Sequence, residues 1–190
     1  MSVITTSEIP TPIVITDKCL IRPYVMSDAE QLAEAANHPE ITEYMRNSFP
    51  HPYTIQNSKY WIDFSMNAKP MVNFLICTLD GTLAGGIGLT PRGDIEYRTW
   101  ELGYWVAMDH WGKGIAKSAV KAFTLWAFKE FPDLLRLEAG VFSGNTASMK
   151  VLDRVGWTKE GVRRKAICKN KKVMDLVLYS VLREEVEGKK

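Results

Sequence analysis

The residues best suited to chemistry are two glycines that precede a long amphipathic segment. Gly112 and Gly114 stand in HWGKGIAK, directly before a stretch with apolar residues at helical spacing that runs to Phe131. Glycine lets the backbone approach a ligand closely, and the first N–H groups of a helix have no partner within it. Together with the positive end of the helix dipole, such a loop favours binding of a phosphate or pyrophosphate. The alternative is a tight strand-to-helix turn without a ligand.

Two nucleotide-binding patterns do not fit this loop. The pattern GxxxxGK[ST] requires Lys and then Ser or Thr after its second glycine, whereas Lys113 precedes Gly114 and no hydroxyl residue follows directly. The dinucleotide pattern GxGxxG requires a small residue where Lys117 stands. The sequence therefore disfavours a Walker-type site and a dinucleotide site.

The segments around the loop predict one mixed α/β sheet. Apolar, β-rich runs predict a strand or hairpin at 13–25, a strand on each side of a hairpin turn at 80–81, and strands at 99–107, 135–142, 157–168 and 172–182. Helical spacing and end signals predict helices at 28–37, 54–67, 114–131 and 145–155, with a short helical piece at 40–45. This order is neither the strict alternation of a dinucleotide fold nor an all-β pattern.

The composition predicts one compact domain. A chain of 190 residues with 46% hydrophobic content is long enough for one core, which we expect at residues 13–185, between a flexible lead-in at 1–12 and a tail at 186–190. A net charge of +2 argues against a general nucleic-acid binder. No apolar run approaches the ~20 residues of a membrane span.

The cysteines and histidines predict no metal site. Neither residue type shows metal-ligand spacing, and without a CxxC pair the cysteines are expected to be buried free thiols. We therefore expect a reducing, cytoplasmic setting. The residues concerned are Cys19, Cys77, Cys168, His38, His51 and His110.

The glycine loop resembles the signature of the GNAT superfamily of acetyl-CoA-dependent N-acetyltransferases. That signature is Gln/Arg-x-x-Gly-x-Gly/Ala between the fourth strand and the third helix; Gly114 and Ala116 fill its last two places. Trp111 takes the Gln/Arg place. This departure is similar to the branch that contains the ribosomal-protein alanine and serine N-terminal acetyltransferases, in which WGKG is frequent.

A second segment carries the same resemblance. RLEAGVFSGNTASMKVLDRVGWTKEGV, from Arg136 to Val162, is similar to the branch pattern RLEA…N-x-x-S-x-x-L-x-x-x-GF-x-x-EG, with Trp157 at the Phe place. The likeness extends over most of the chain, from the LIRPYV segment to LYSVLREE. It implies the GNAT fold, a mostly antiparallel sheet of about seven strands with about four helices, in which the fourth and fifth strands, 99–107 and 135–142, splay apart.

The resemblance also implies a set of residues that bind acetyl-CoA. The backbone amides of the loop would hold the pyrophosphate, the backbone of the fourth strand end would pair with the pantetheine arm, and Asn145 would contact the cofactor through its amide. Asn145 is equally a good helix N-cap. The implied cofactor-binding residues are Val106, Ala107, Trp111, Gly112, Lys113, Gly114, Ile115, Ala116, Lys117 and Asn145.

Acetyl transfer to an amine requires a neutral amine, a polarised thioester carbonyl and a proton for the thiolate. A backbone N–H near Val106 resembles the family's carbonyl-polarising donor, and Glu101 is the candidate base, with a role as an exposed carboxylate or a partner of Arg98 as the alternative. Many members use a tyrosine acid where Leu152 stands here. Ser148 matches the branch serine and is the candidate acid, with an ordinary helix serine as the alternative.

The chemistry and the resemblance predict an N-acetyltransferase that acts by direct transfer in a ternary complex. The expected acceptor is a protein N-terminal α-amine; the alternatives are a small amine (a polyamine, amino acid or antibiotic) or a non-catalytic acyl-CoA-binding module. We expect a monomer or homodimer without direct nucleic-acid or membrane contact. The basic run from Arg163 to Lys172 is interpreted as a solvated hairpin, with contact to an acidic substrate or a CoA phosphate as the alternative.

Overall fold

A single eight-stranded sheet organises the chain, whose computed structural model describes residues 9–188. All neighbouring strands pair antiparallel except β5 and β6. The spatial order is β1-β2-β3-β4-β5-β6-β8-β7. The strands are β1 Val14–Ile15, β2 Leu20–Arg22, β3 Asn73–Cys77, β4 Leu83–Pro91, β5 Thr99–Val106, β6 Arg136–Phe142, β7 Thr158–Lys169 and β8 Lys172–Leu182.

Six α-helices flank the sheet within residues 9–188. The predicted long helices are confirmed, and the two shortest helices, of four and five residues, account for the excess over the expected four. The eighth strand is β1, because the first predicted strand is a hairpin. The helices are α1 Ala29–Ala36, α2 Pro39–Thr42, α3 Ile55–Asn67, α4 Ile115–Glu130, α5 Thr146–Val155 and α6 Arg183–Glu187.

Strands β5 and β6 separate as predicted. They pair only over residues 99–101 and 136–138. Beyond this point β5 stays paired with β4 up to Val106, while β6 stays paired with β8 up to Phe142. The two inner edges therefore diverge, and a slot opens between them.

The two faces of the sheet carry different helices. Helices α4 and α5 pack on one face, where Val120, Phe123 and Leu152 are fully buried. Helices α1 and α3 pack on the other, where Leu32 and Ile62 are buried. The sheet therefore separates two clusters of buried hydrophobic residues.

Regular secondary structure begins and ends close to the predicted domain limits, residues 13 and 185. Residues 9–12 form no regular element, and α6 continues beyond residue 185 to Glu187. Residues 1–8 and 189–190, which the sequence assigns to the lead-in and tail, lie outside the described residues. None of the described helices is long and apolar enough to cross a bilayer.

One prediction about the cysteines is wrong. Cys19 and Cys77 are buried free thiols, but Cys168 is exposed on the edge strand β7. Its cross-strand partner Val173 is exposed as well, because no second layer of the described residues covers this end of the β7–β8 hairpin. Among residues 9–188 no cluster of three or more His, Cys, Asp or Glu residues is arranged to hold a metal ion.

Candidate active site

The loop between β5 and α4 has the backbone that the two glycines predict. Gly112 and Gly114 have φ values of 73° and 81°, in the left-handed region that L side chains rarely adopt. A Cβ added to either would have no neighbouring atom within 4 Å. The loop is therefore shaped by glycine, and the space above it is open.

The loop and the first turn of α4 contain unpaired backbone amides. For the backbone N–H groups of residues 112–117, no partner exists within the described part of the chain, because the first helical bond is from Ser118 to Gly114 O. Lys113 and Lys117 are exposed beside them, while Ile115 is buried and anchors α4. The loop thus presents amides, two cations and a helix dipole to one open space, as an anion site requires.

Two of the predicted backbone donors are already engaged, which corrects the predicted set. The Trp111 N–H donates to Met108 O at 3.0 Å, and the Ala107 N–H donates to Ala84 O at 2.8 Å. The sequence could not assign these bonds, because they depend on the turn before the loop and on the register of β4. Neither amide is free for a ligand.

The N–H of Val106 remains available at the slot. Backbone groups of successive residues point to opposite edges of a strand, so with Ala107 bonded to β4, Val106 directs its groups toward the gap beside β6. Its carbonyl accepts from Trp111 Nε1 at 2.7 Å. The indole of Trp111 therefore ties the glycine loop to the end of β5.

Helix α5 forms one wall of the slot. Asn145 is its N-cap, with Oδ1 accepting from the Ser148 N–H at 3.1 Å. The Ser148 Oγ lies 2.8 Å from the hydroxyl of Tyr104 on β5. Burial raises the pKa of Tyr104 to about 12, so this hydroxyl is neutral at ordinary pH. Asn145 and Ser148 thus come together, and Leu152, one turn after Ser148, is fully buried in the core.

Glu101 lies on the opposite face of β5. The Arg46 Nη2 donates to Glu101 Oε1 at 2.5 Å, and the Arg92 Nη2 lies 3.9 Å from Oε2. The carboxylate is therefore held between two guanidinium groups, with Oε2 outside hydrogen-bond distance of either. Arg98, the partner considered from the sequence, instead donates to Asp133 O at 2.6 Å.

A charged groove surrounds Glu101 at the splayed strands, with a cavity of about 330 Å³. Arg92 donates to Glu138 Oε1 at 2.6 Å, and Arg136 donates to both carboxylate oxygens of Glu160. Acidic and basic side chains thus alternate across the sheet. The residues that line this cavity include Arg46, Arg92, Glu101, Arg136, Glu138, Gly140, Glu160, Arg163, Leu176 and Leu178.

Comparison with known proteins identifies the family. The family model described as an acetyltransferase (GNAT) domain matches residues 18–158. The chain belongs to the GNAT acetyltransferases. It is an acetyl-CoA-dependent N-acetyltransferase.

Two relatives of this GNAT chain match it over different lengths, one over nearly the whole chain and one over somewhat more than half. An uncharacterized N-acetyltransferase p20 from Bacillus licheniformis is 29% identical over 91% of this chain and 97% of its own. The putative ribosomal N-acetyltransferase YdaF from Bacillus subtilis (strain 168) is 38% identical over 58% of this chain and 60% of its own.

A solved structure supports the same fold. The structure of RimL, a ribosomal L7/L12 alpha-N-protein acetyltransferase in complex with coenzyme A, has a TM-score of 0.78. It is 17% identical, covering 90% of this chain and 98% of its own. The predicted GNAT architecture is confirmed by this likeness.

Sequence reasoning did not assign a role to three side chains in this GNAT site. Tyr104, Arg46 and Arg92 belong to no motif that the sequence shows. Alternation along β5 places Tyr104 on the α5 face and Glu101 on the groove face, which was a usable signal for Tyr104. The two arginines can be recognised as partners of Glu101 only from the structure, in which the loop after α2 and the end of β4 lie beside Glu101.

The Arg136–Glu160 pair predicts an acid-dependent loss of stability. The bidentate contact from Arg136, together with the Ser180 hydroxyl, lowers the pKa of Glu160 from 4.5 to about 2. Because the folded-state pKa lies below the unfolded one, the stabilisation is complete above about pH 4.5 and is lost as the pH falls toward 2. Glu160→Gln should therefore reduce the fall in thermal midpoint across this range. An unchanged pH slope, measured by circular dichroism, would contradict this contribution.

Proposed function

We propose that this GNAT enzyme acetylates a protein N-terminal α-amine by direct transfer within a ternary complex. The observation that carries the proposal is the slot between β5 and β6, which has the Tyr104–Ser148 pair on one side and Glu101 in the groove on the other. A thioester that enters along the slot and an amine that enters from the groove would meet at the end of β5. Donor and acceptor can then be bound together.

The free backbone groups fit an extended acyl-CoA. The amides of residues 112–117 would bind its pyrophosphate, and the edge of β5 beyond Glu101 would pair with the pantetheine arm as an added strand does. The Val106 N–H would then donate to the thioester carbonyl oxygen. This donation strengthens as negative charge develops on that oxygen in the tetrahedral intermediate.

Glu101 would prepare the amine for attack. An α-amine has a pKa of about 8 and is largely protonated at neutral pH, so it must lose a proton before it attacks the carbonyl. The uncoordinated Oε2 of Glu101 would accept that proton through a chain of waters, because Glu101 lies five residues, roughly 16 Å, from Val106 along β5. Arg46 would fix the carboxylate through Oε1 while this occurs.

The Tyr104–Ser148 pair would assist departure of the thiolate. If Tyr104 donates its proton to the Ser148 Oγ, the serine hydrogen is free to point into the slot toward the sulfur. With its pKa raised to about 12, Tyr104 is a poor proton source for a thiolate whose conjugate acid has a pKa of about 8.5. Tyr104 therefore acts as a positioning residue, and Ser148 supplies the hydrogen bond.

Ser148→Ala should lower kcat by roughly 10²-fold, the loss expected when one hydrogen-bond donor to a developing negative charge is removed. Tyr104→Phe should lower kcat about 5-fold, since one hydrogen bond of about 1 kcal/mol is lost. In the Ser148→Ala background the tyrosine change should have almost no further effect, because the two groups act as one unit. Steady-state kinetics of the two single variants and the double variant measure this coupling.

The matched control is Thr146→Ala, which removes an exposed hydroxyl from the same helix. An acetyl donor with a more acidic thiol should also reduce the Ser148→Ala effect, because such a leaving group needs less assistance. Additive losses in the double variant, or an undiminished effect with the activated donor, would reject the role of the pair.

The cysteines support direct transfer. Burial raises the pKa of the Cys19 thiol, and it raises that of Cys77 to about 11. Cys168 is exposed on β7 and does not line the groove cavity. Intact-mass analysis after mixing the enzyme with acetyl-CoA alone should therefore find no acetylated protein, and acetyl transfer to a cysteine would contradict the proposal.

Two observations support a peptide acceptor and one supports an alternative. YdaF is described as a putative ribosomal N-acetyltransferase, and RimL as an alpha-N-protein acetyltransferase. The groove cavity of about 330 Å³ is, however, large enough for a small amine. An amino acid or another small amine is therefore the second candidate.

A panel of acceptors separates the two candidates. Release of free thiol from acetyl-CoA would be followed with short peptides, the same peptides with blocked N-termini, free amino acids and polyamines. We expect turnover with free peptide N-termini and none with blocked ones. Faster turnover of a free amino acid or polyamine than of every peptide would reject the peptide proposal while leaving the acetyltransferase assignment intact.

A further inference from the structure

The carboxylates of the groove are already neutralised by arginine. Glu101 is bound by Arg46, Glu138 by Arg92 and Glu160 by Arg136, at distances of 2.5 to 2.6 Å. A carboxylate held in this way offers weaker attraction to a second cation. Glu101 Oε2 and Glu138 Oε2 accept no hydrogen bond from residues 9–188, but they lie 3.9 Å and 3.6 Å from an arginine guanidinium. Each carboxylate of the groove thus has an arginine partner, and none is left unpaired for a further positive charge.

One arginine of the groove is left over. Arg163 lines the same cavity, is exposed, and has no hydrogen bond or ion pair within residues 9–188. It lies opposite Leu176 in the β7–β8 register, and Leu176 lies opposite Phe142 in the β6–β8 register. Arg163 is thus at the level of the end of β6, where the slot is widest.

The surroundings of Arg163 add to its positive potential. The β7–β8 hairpin carries Arg164, Lys165 and Lys171 as exposed side chains. Asp175, the acid nearest along the hairpin, is engaged by the Lys165 N–H at 2.8 Å. A ligand in the groove therefore meets a cationic rim whose guanidinium at Arg163 is unpaired.

The floor beneath this rim can hold an extended chain. Leu176 and Leu178 are apolar, and a Cβ added at Gly140 would lie 3.1 Å from Leu176 Cδ1. The leucine side chain therefore lies over the glycine and forms a flat apolar surface. Strand β7 is two strand spacings, roughly 10 Å, from β6. An extended peptide advances ~3.3 Å per residue and reaches that far in about three residues.

We infer that the acceptor is an anionic peptide that has an acidic side chain within the first few residues after its N-terminal α-amine. This acidic side chain pairs with Arg163. This inference rests on the proposed function and names its substrate class. A carboxylate and a guanidinium form a charge-assisted, bidentate pair, whereas a basic side chain at the same position meets an uncompensated arginine. The same arrangement makes polyamines poor acceptors.

The test uses matched peptides with a free N-terminus that differ only by Ala, Asp or Lys at the second, third or fourth position. At low ionic strength the wild-type enzyme should prefer Asp over Lys by about 10-fold in kcat/KM at the best position, equivalent to one pair of about 1.4 kcal/mol. The preference should decline with added salt. Arg163→Gln should reduce it to about 2-fold or less, and Arg163→Lys should retain most of it.

The control variant is Arg154→Gln, at an exposed arginine on α5 outside the cavity lining, which should keep the wild-type ratio. Equal use of Asp and Lys peptides by the wild type, or an unchanged ratio in Arg163→Gln, would overturn the inference while leaving peptide acetylation in place. If coenzyme A binds but no peptide is acetylated, both the inference and the proposed function fail.

Discussion

Gly114→Val should lower the affinity of the protein for coenzyme A by roughly 100-fold. Gly114 has a φ of 81°, and the space above it is open. A valine there would strain the left-handed backbone and place methyl groups where the pyrophosphate approaches the free amides. Loss of one or two charge-assisted hydrogen bonds, at about 1.5–3 kcal/mol each, gives an effect of this size. Isothermal titration calorimetry with coenzyme A measures it.

The chain supplies a matched control for this substitution. Gly81 has a similar φ of 91° and equally open space, but it lies in the turn between β3 and β4. Gly81→Val should therefore cost comparable folding stability and leave the affinity for coenzyme A unchanged. If both variants lose affinity equally, or if Gly114→Val binds as the wild type does, the loop is not the pyrophosphate site.

Glu101→Gln should lower kcat/KM by roughly 10²-fold near pH 6 and by progressively less as the pH rises above the pKa of the acceptor amine, about 8. At low pH the ammonium must give up a proton to a base, and an amide cannot accept it. At high pH the amine is already neutral. A pH–rate profile with one peptide acceptor measures this dependence.

The control for Glu101 is its register partner on β6. Glu138 pairs with Glu101 across the only hydrogen-bonded part of the β5–β6 edge and is likewise bound by an arginine. Glu138→Gln changes the same charge and should cause a much smaller loss that does not vary with pH. A loss in Glu101→Gln that is the same at every pH would remove Glu101 as the base.

The elements proposed to hold the cosubstrate could be predicted because their signals are local. The glycine spacing and the apolar positions of α4 predict a strand, a tight loop and a helix in consecutive residues. The splay of β5 and β6 follows from the resemblance to the family. Which backbone N–H groups are free to bind a ligand was predicted less well. The hydrogen bonds of the Trp111 and Ala107 N–H groups depend on a turn and on a strand register that no local pattern specifies.

The side chains that complete the site were harder to predict because they come from distant parts of the chain. Arg46 and Glu101 are 55 residues apart, and Tyr104 and Ser148 are 44 residues apart. Periodicity predicts which face of a strand a residue occupies, but it does not predict which loop covers that face. The interpretation of the basic run as a solvated hairpin had the same limit, since the position of Arg163 in the groove depends on how β7 pairs with β8.

Product analysis by tandem mass spectrometry is the sharpest test of acetyl transfer to a peptide N-terminal α-amine. The wild-type enzyme would be incubated with acetyl-CoA and a peptide that has a free N-terminus, an acidic residue near it and one internal lysine. We expect one acetyl group per peptide, located on the N-terminal α-amine, and one molecule of coenzyme A released per acetyl group. An acetyl group on the lysine side chain, or bound coenzyme A without any acetylated peptide, would contradict it.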